Sequence, residues 1–162
     1  MKLRSGRVLT LPKKENSKDP EHFQLFGIPV ELRISIYKFV LLTYYNNYDF
    51  RRVDSIEHPI LHVSPAVRNE IMSTYKLALE GFTIRLYDNA FAACEAYTNA
   101  ACEWLAHVIS VGIVAQRTTA QEDKLHRLQV RKTEAFEECI YVVDMVKDCL
   151  GRVQEQFVKW EL

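Results

Sequence analysis

Apolar residues return every three or four positions over several stretches of the chain. The first stretch, Leu32, Ile36, Phe39 and Val40, predicts an amphipathic helix. Pro29 suits its first turn, Glu31 suits its positive end, and the helix is expected to stop near Leu42. From Thr43 to Pro59 the chain is rich in Tyr, Asn and Asp, which reads as a long connection that either packs through its aromatics or moves. A second helix follows the short apolar run 60–63. Ser64 is its N-cap, Pro65 its first helical position, and Val67, Ile71, Tyr75 and Ala78/Leu79 its core face, with Gly81 as its end.

Phe82 to Tyr87 alternates in the manner of a half-buried strand closed by Asp88-Asn89. Ala90 to Ser110 is a further helix, with Ala90, Cys94, Tyr97, Ala101, Leu105 and Val108 on one face. Residues 108–114 read equally as the end of that helix or as a buried strand. Leu125 to Val130 is a second candidate strand with Leu128 and Val130 facing inward. Glu134 to Leu150 is a late helix with Phe136, Cys139, Ile140, Val143 and Val146 on its core face and Gly151 at its end. Phe157, Trp160 and Leu162 form a final docking turn. The sum is an α+β fold, helix-rich, in which a small sheet packs with helices.

Composition adds a size and a charge distribution. A chain of 162 residues, 48% hydrophobic and 26% charged, is long enough for one core. Net charge is zero, yet residues 1–20 carry six Lys/Arg (Lys2, Arg4, Arg7, Lys13, Lys14, Lys18) against Glu15 and Asp19, which marks 1–22 as a flexible basic tail. No apolar run is long enough to span a bilayer and no secretory core opens the chain, so the expected compartment is cytoplasm or nucleus. In that setting Cys94, Cys102, Cys139 and Cys149 read as buried free thiols, and their spacing lacks a CxxC unit.

Candidate chemistry is sparse. The sequence holds no GxSxG, no phosphate-loop pattern and no HExxH, and His58 and His62 flank Pro59, which disfavours the helix that would align them on a metal. His107 lies five residues from Cys102, one past the best helical pairing distance, and the adjacent Glu137 and Glu138 point apart on a helix. The expectation is a protein that is not an enzyme and that carries no cofactor and no metal. Arg51-Arg52 and Arg127, Arg131 and Lys132 are local cationic spots. Outside residues 1–20, however, 15 basic residues face 19 acidic ones, which opposes a continuous phosphate-binding face, so nucleic acid is not an expected partner except through residues 1–20.

Two segments then carry a family pattern. Phe26-Gly27-Ile28-Pro29-Val30-Glu31-Leu32-Arg33-Ile34-Ser35-Ile36-Tyr37-Lys38-Phe39-Val40-Leu41 resembles the opening of F-box-like domains in large families of filamentous-fungal proteins, where Leu-Pro-x-Glu-Leu-Arg-x-x-Ile-Tyr recurs. Ile60-Leu61-His62-Val63-Ser64-Pro65-Ala66-Val67-Arg68 is similar to their second segment, and residues 82–87 resemble the strand that commonly follows. The resemblance implies a helical module over 23–81 that docks on the Skp-type linker subunit of a cullin-RING ubiquitin ligase. An α+β region over 82–162 would then recognise a protein substrate or support the module. It also implies partner-binding roles for Ile28, Pro29, Leu32, Ile36, Leu61 and Val63, while Arg33 and Arg68 suit either an internal ion pair or an interface rim. The alternatives are a scaffold or regulator without linker binding, in one version a homo-oligomer, and a nuclear factor that contacts nucleic acid through its tail.

Overall fold

The computed structural model describes residues 25–51, 55–112 and 117–162, and the basic tail lies outside them. Three α-helices account for most of these residues: α1 (Val30–Asn46), α2 (Pro65–Val111) and α3 (Thr119–Lys159). Short 3-10 turns at Leu25–Gly27 and Pro59–His62 precede α1 and α2. At 1.5 Å per residue α2 is about 70 Å long and α3 about 60 Å.

Local chemistry sets the ends of the long helices. The Ser64 hydroxyl accepts from the Val67 amide at 3.2 Å with Pro65 at the first helical position, so α2 begins where the sequence predicts. Thr118 and Gln121 form a reciprocal capping box at the start of α3. At Gly112 the amide bonds the Val108 carbonyl at 2.7 Å, and a Cβ there would lie only 2.6 Å from that oxygen, so glycine is needed where α2 stops.

Facing side chains show that α2 and α3 run antiparallel. The Tyr75 hydroxyl meets Gln156, Cys94 meets Cys139 and Glu103 meets Arg131, so position rises along one helix as it falls along the other. Helix α1 packs only on one end of this hairpin. There Tyr37, Leu41 and Tyr45 interlock with Val67, Ile71, Tyr75, Leu79, Phe82 and Leu86 of α2 and with Val142, Val146, Cys149 and Val153 of α3. Beyond Ala93 the two long helices continue as a pair, joined by Tyr97 against Phe136 (ring centroids 5.2 Å apart) and by Lys132 over the Trp104 ring at 3.9 Å.

The fold is therefore all-helical among the described residues, and the expected α+β class with its small sheet is corrected. Phe82–Tyr87 lies inside α2. Phe82 and Leu86 extend the Tyr75, Ala78/Leu79 face at helical spacing and are buried, while Ile84 and Tyr87 point outward. Gly81, and the module boundary drawn at it, sit in the middle of this helix. Leu125–Val130 belongs to α3, with Leu125 and Leu128 half-buried three residues apart and Val130 exposed. Gly151 likewise lies within α3, which continues to Lys159. Residues 108–111 end α2, and 113–114 fall outside the described residues.

The tyrosine-rich stretch is partly helix and partly core. Helix α1 runs on to Asn46, and the Tyr45 hydroxyl donates to the Ile56 carbonyl at 2.8 Å. Tyr44, Tyr45 and Tyr48 stack among Tyr75, Phe82 and His58. The closing turn docks as expected, with Phe157, Trp160 and Leu162 packed against the core.

Candidate partner-binding surfaces

Helix α1 has apolar residues on more than one side, and the core uses the Tyr37, Leu41, Tyr45 side. The Leu32, Ile36, Phe39 stripe, expected to be the buried one, faces out. Leu32 is 56% and Phe39 71% exposed, and Ile36 and Pro29 are exposed with them. Positions 29, 32, 36 and 39 repeat at three and four residues, so they form one continuous outward strip. The two tyrosines are tolerated in the core because the site supplies acceptors for their phenols: Tyr45 donates to the Ile56 carbonyl and Tyr37 to Glu70 at 3.4 Å.

Arg33 is bound internally. Its Nε and Nη2 donate to the two Glu70 oxygens at 3.0 and 2.6 Å, and Nη1 donates to the Ile28 and Phe26 carbonyls at 2.7 and 3.3 Å. The fork clamps α1, and the turn that precedes it, to α2. Hydrogen bonds to Glu70 push the guanidinium pKa up, and the same bonds hold the Glu70 carboxyl below its usual range.

Arg68 is a second clamp. Its Nε donates to the Leu61 carbonyl at 2.9 Å and its guanidinium lies over the Trp160 ring, 5.1 Å from the centroid. Leu61 itself is fully buried. Of the eight candidates, Pro29, Leu32 and Ile36 share the outward strip, and Val63 is exposed at the entrance to α2. Ile28 is half-buried, and Leu61, Arg33 and Arg68 serve the interior. Phe39 completes the strip.

A second apolar face lies on the hairpin. Arg85 of α2 donates to Asn46 at the end of α1, and Arg51 just beyond α1 donates to Glu138 of α3 at 2.7 Å, which fixes the side of the hairpin that α1 covers. Residues two apart on a helix point about 200° apart. Tyr87 and Ile140 therefore face the opposite side, Tyr87 with Ile84 and Phe91, Ile140 with Phe136 and Val143, and all six are exposed. The sequence reading hides this face, since it places Phe136, Ile140 and Val143 in the core and Ile84 in a strand. Its visible signal is the seven-residue spacing of Leu77, Ile84 and Phe91.

Elsewhere the surface offers little chemistry. Of the cationic spots, Arg131 bonds Glu103 at 2.6 Å, Lys132 covers Trp104 and Arg51 holds Glu138, while Arg52 lies outside the described residues. Cys102 is exposed, and no hydrogen bond joins it to His107 among the described residues. A shallow depression near the hairpin tip is lined by Glu103, His107, Ser110, Lys124 and Leu128. Among the described residues no three His, Cys, Asp or Glu side chains group as metal ligands, and no helix is long and apolar enough to cross a membrane. Comparison with protein-family models, curated proteins and solved structures gives no match. The fold and its surfaces define a helical protein whose candidate sites are two apolar faces.

Proposed function

We propose that this chain is a protein-interaction module of the F-box-like adaptor type. The strip Pro29, Leu32, Ile36 and Phe39 meets the Skp-type linker of a cullin-RING ligase, and the hairpin presents a protein substrate. The observation that carries this reading is the double-sided character of α1. One face completes the core through Tyr37, Leu41 and Tyr45, and the other keeps Leu32, Ile36 and Phe39 in solvent. Covering such side chains is worth about 1.5–3 kcal/mol each, so leaving three in a row exposed is costly without a partner. Because Arg33 and Glu70 fix α1 on α2, the strip is presented on a rigid support.

Co-expression with a Skp-type linker, followed by size-exclusion chromatography with light scattering, tests the reading. The expected result is a one-to-one complex that a Leu32→Asp, Ile36→Asp double variant loses while its helical circular dichroism is unchanged. A folded wild-type chain that never co-migrates with the linker overturns the adaptor assignment. A second reading, self-association, is favoured by the Ile84, Tyr87, Phe91, Ile140 face, and in the same experiment it appears as a doubled mass without linker.

A further inference from the structure

Cys94 on α2 and Cys139 on α3 are 45 residues apart in the chain, and their sulfurs lie 3.2 Å apart. A disulfide needs about 2.05 Å, so the two atoms have to close by roughly 1.2 Å, the scale of a small side-chain rotation. The two thiols differ in access. Cys94 is exposed and Cys139 is buried. The pair also sits at a structural boundary, just beyond the Ala90 and Ala93 end of the three-helix core and before the Tyr97–Phe136 contact of the free pair.

We propose that Cys94 and Cys139 form a peroxide-reactive dithiol, an oxidation site that closes into a disulfide between α2 and α3. In the first step the Cys94 thiolate attacks one oxygen of hydrogen peroxide. An S–O bond forms, the O–O bond breaks, and the departing hydroxide takes up a proton to become water, leaving a sulfenic acid on Cys94. In the second step the Cys139 sulfur attacks the Cys94 sulfur. The S–S bond forms, the S–O bond breaks, and the hydroxide leaves as water with the proton that Cys139 gives up. The two thiols lose two electrons and the peroxide gains them. Access orders the steps: solvent peroxide reaches Cys94, and Cys139 waits beside it as the resolving thiol. The hydrogen bond with Cys94, followed by burial, also raises the Cys139 pKa, which disfavours it as first attacker. Cys149 is buried in the three-helix core, and Cys102 is exposed further along α2, where it serves as an internal control.

The link ties the hairpin where α1 support ends. Beyond it α2 and α3 are held largely by exposed contacts such as Glu103–Arg131. Oxidation is expected to slow amide exchange in residues 95–111 and 119–138 by about tenfold or more. The site does not depend on what α1 binds.

The test treats the reduced full-length chain with a small molar excess of hydrogen peroxide, blocks remaining thiols, and maps peptides without reductant. The expected product is a monomer lighter by two hydrogen atoms whose dominant crosslink joins Cys94 to Cys139. Cys102→Ser leaves that link intact, and Cys94→Ser removes it and slows oxidation of Cys139. The wild-type map stands without any variant. Accumulation of Cys94 sulfinic acid without a link, dominance of an intermolecular or Cys102-containing crosslink, or unchanged Cys139 oxidation in Cys94→Ser overturns the proposal.

Discussion

Leu32 and Leu61 sit in the two segments that carry the family resemblance, and the fold uses them oppositely. Leu61 is fully enclosed under the start of α2 and Leu32 is open to solvent. Leu61→Ala is therefore expected to lower unfolding free energy by about 2–5 kcal/mol, the range for a truncated core leucine. Leu32→Ala is expected to stay within about 0.5 kcal/mol while weakening partner binding. Urea denaturation of both variants separates the roles. His58 is a second residue with a measurable signature. Its Nδ1 accepts the Ile60 amide at 3.0 Å, its ring meets Tyr44 edge-on, and burial lowers its pKa. With the folded pKa below the unfolded one, near 6.5 for histidine, the unfolded chain binds more protons in that window. This contribution to stability is complete above about pH 7 and declines as pH falls below about 6.5. The Glu70 contribution, from a carboxyl whose folded pKa is depressed, is lost only at more acid pH, below the usual carboxylate range. His58→Asn keeps an N-cap acceptor and removes the titration, so its urea midpoint should be flatter between pH 7 and 5 than that of the wild type.

Among the elements, the start of α2 is the most legible from sequence. Ser64, Pro65 and the Val67, Ile71, Tyr75, Leu79 repeat specify a cap and a buried face that the structure keeps. The late helix is recovered as an element but with its face turned. Cys139 and Val146 are buried as expected, whereas Val142, Cys149 and Val153 replace Phe136, Ile140 and Val143. The reason is surplus: α1, α2 and α3 each carry more apolar positions than one face holds, and periodicity alone does not rank two competing stripes. The strand at 82–87 fails for a related reason. Phe82, Ile84 and Leu86 satisfy a two-residue period, and Phe82 with Leu86 also satisfies the helical one, so the packing of α1 and α3 decides. Glycine is an equally weak stop signal in both long helices. Gly81 and Gly151 have helical backbone, and a Cβ at either meets nothing within 4 Å. Gly81→Ala and Gly151→Ala should each stabilise the protein by about 0.5–1 kcal/mol, read as raised denaturation midpoints, because alanine fixes the helix at lower entropic cost.

At the scale of the whole molecule, the uneven placement of α1 makes stability a gradient along the hairpin. At one end three helices share Tyr37, Leu41, Tyr45, Tyr75, Phe82 and Val146. At the other end two helices meet through few buried side chains, Ala100 and Val111 among them, with an ion pair and a ring contact at the surface. Amide opening free energy tracks buried apolar contact, so the chain should not exchange as one unit. In native-state hydrogen exchange of the reduced protein, amides of 71–86 and 142–153 are expected to open only with global unfolding. Amides of 100–111 and 119–132 should open at least about 2 kcal/mol more easily, roughly thirtyfold faster when exchange follows the opening equilibrium. The same measurement bears on the two faces. A partner on the α1 strip protects 30–42 and leaves the tip unchanged, whereas self-association through Phe91 and Ile140 protects the middle of the hairpin. Uniform protection along both long helices in dilute protein would contradict the gradient, and with it the view that the free pair is the pliable part of the molecule.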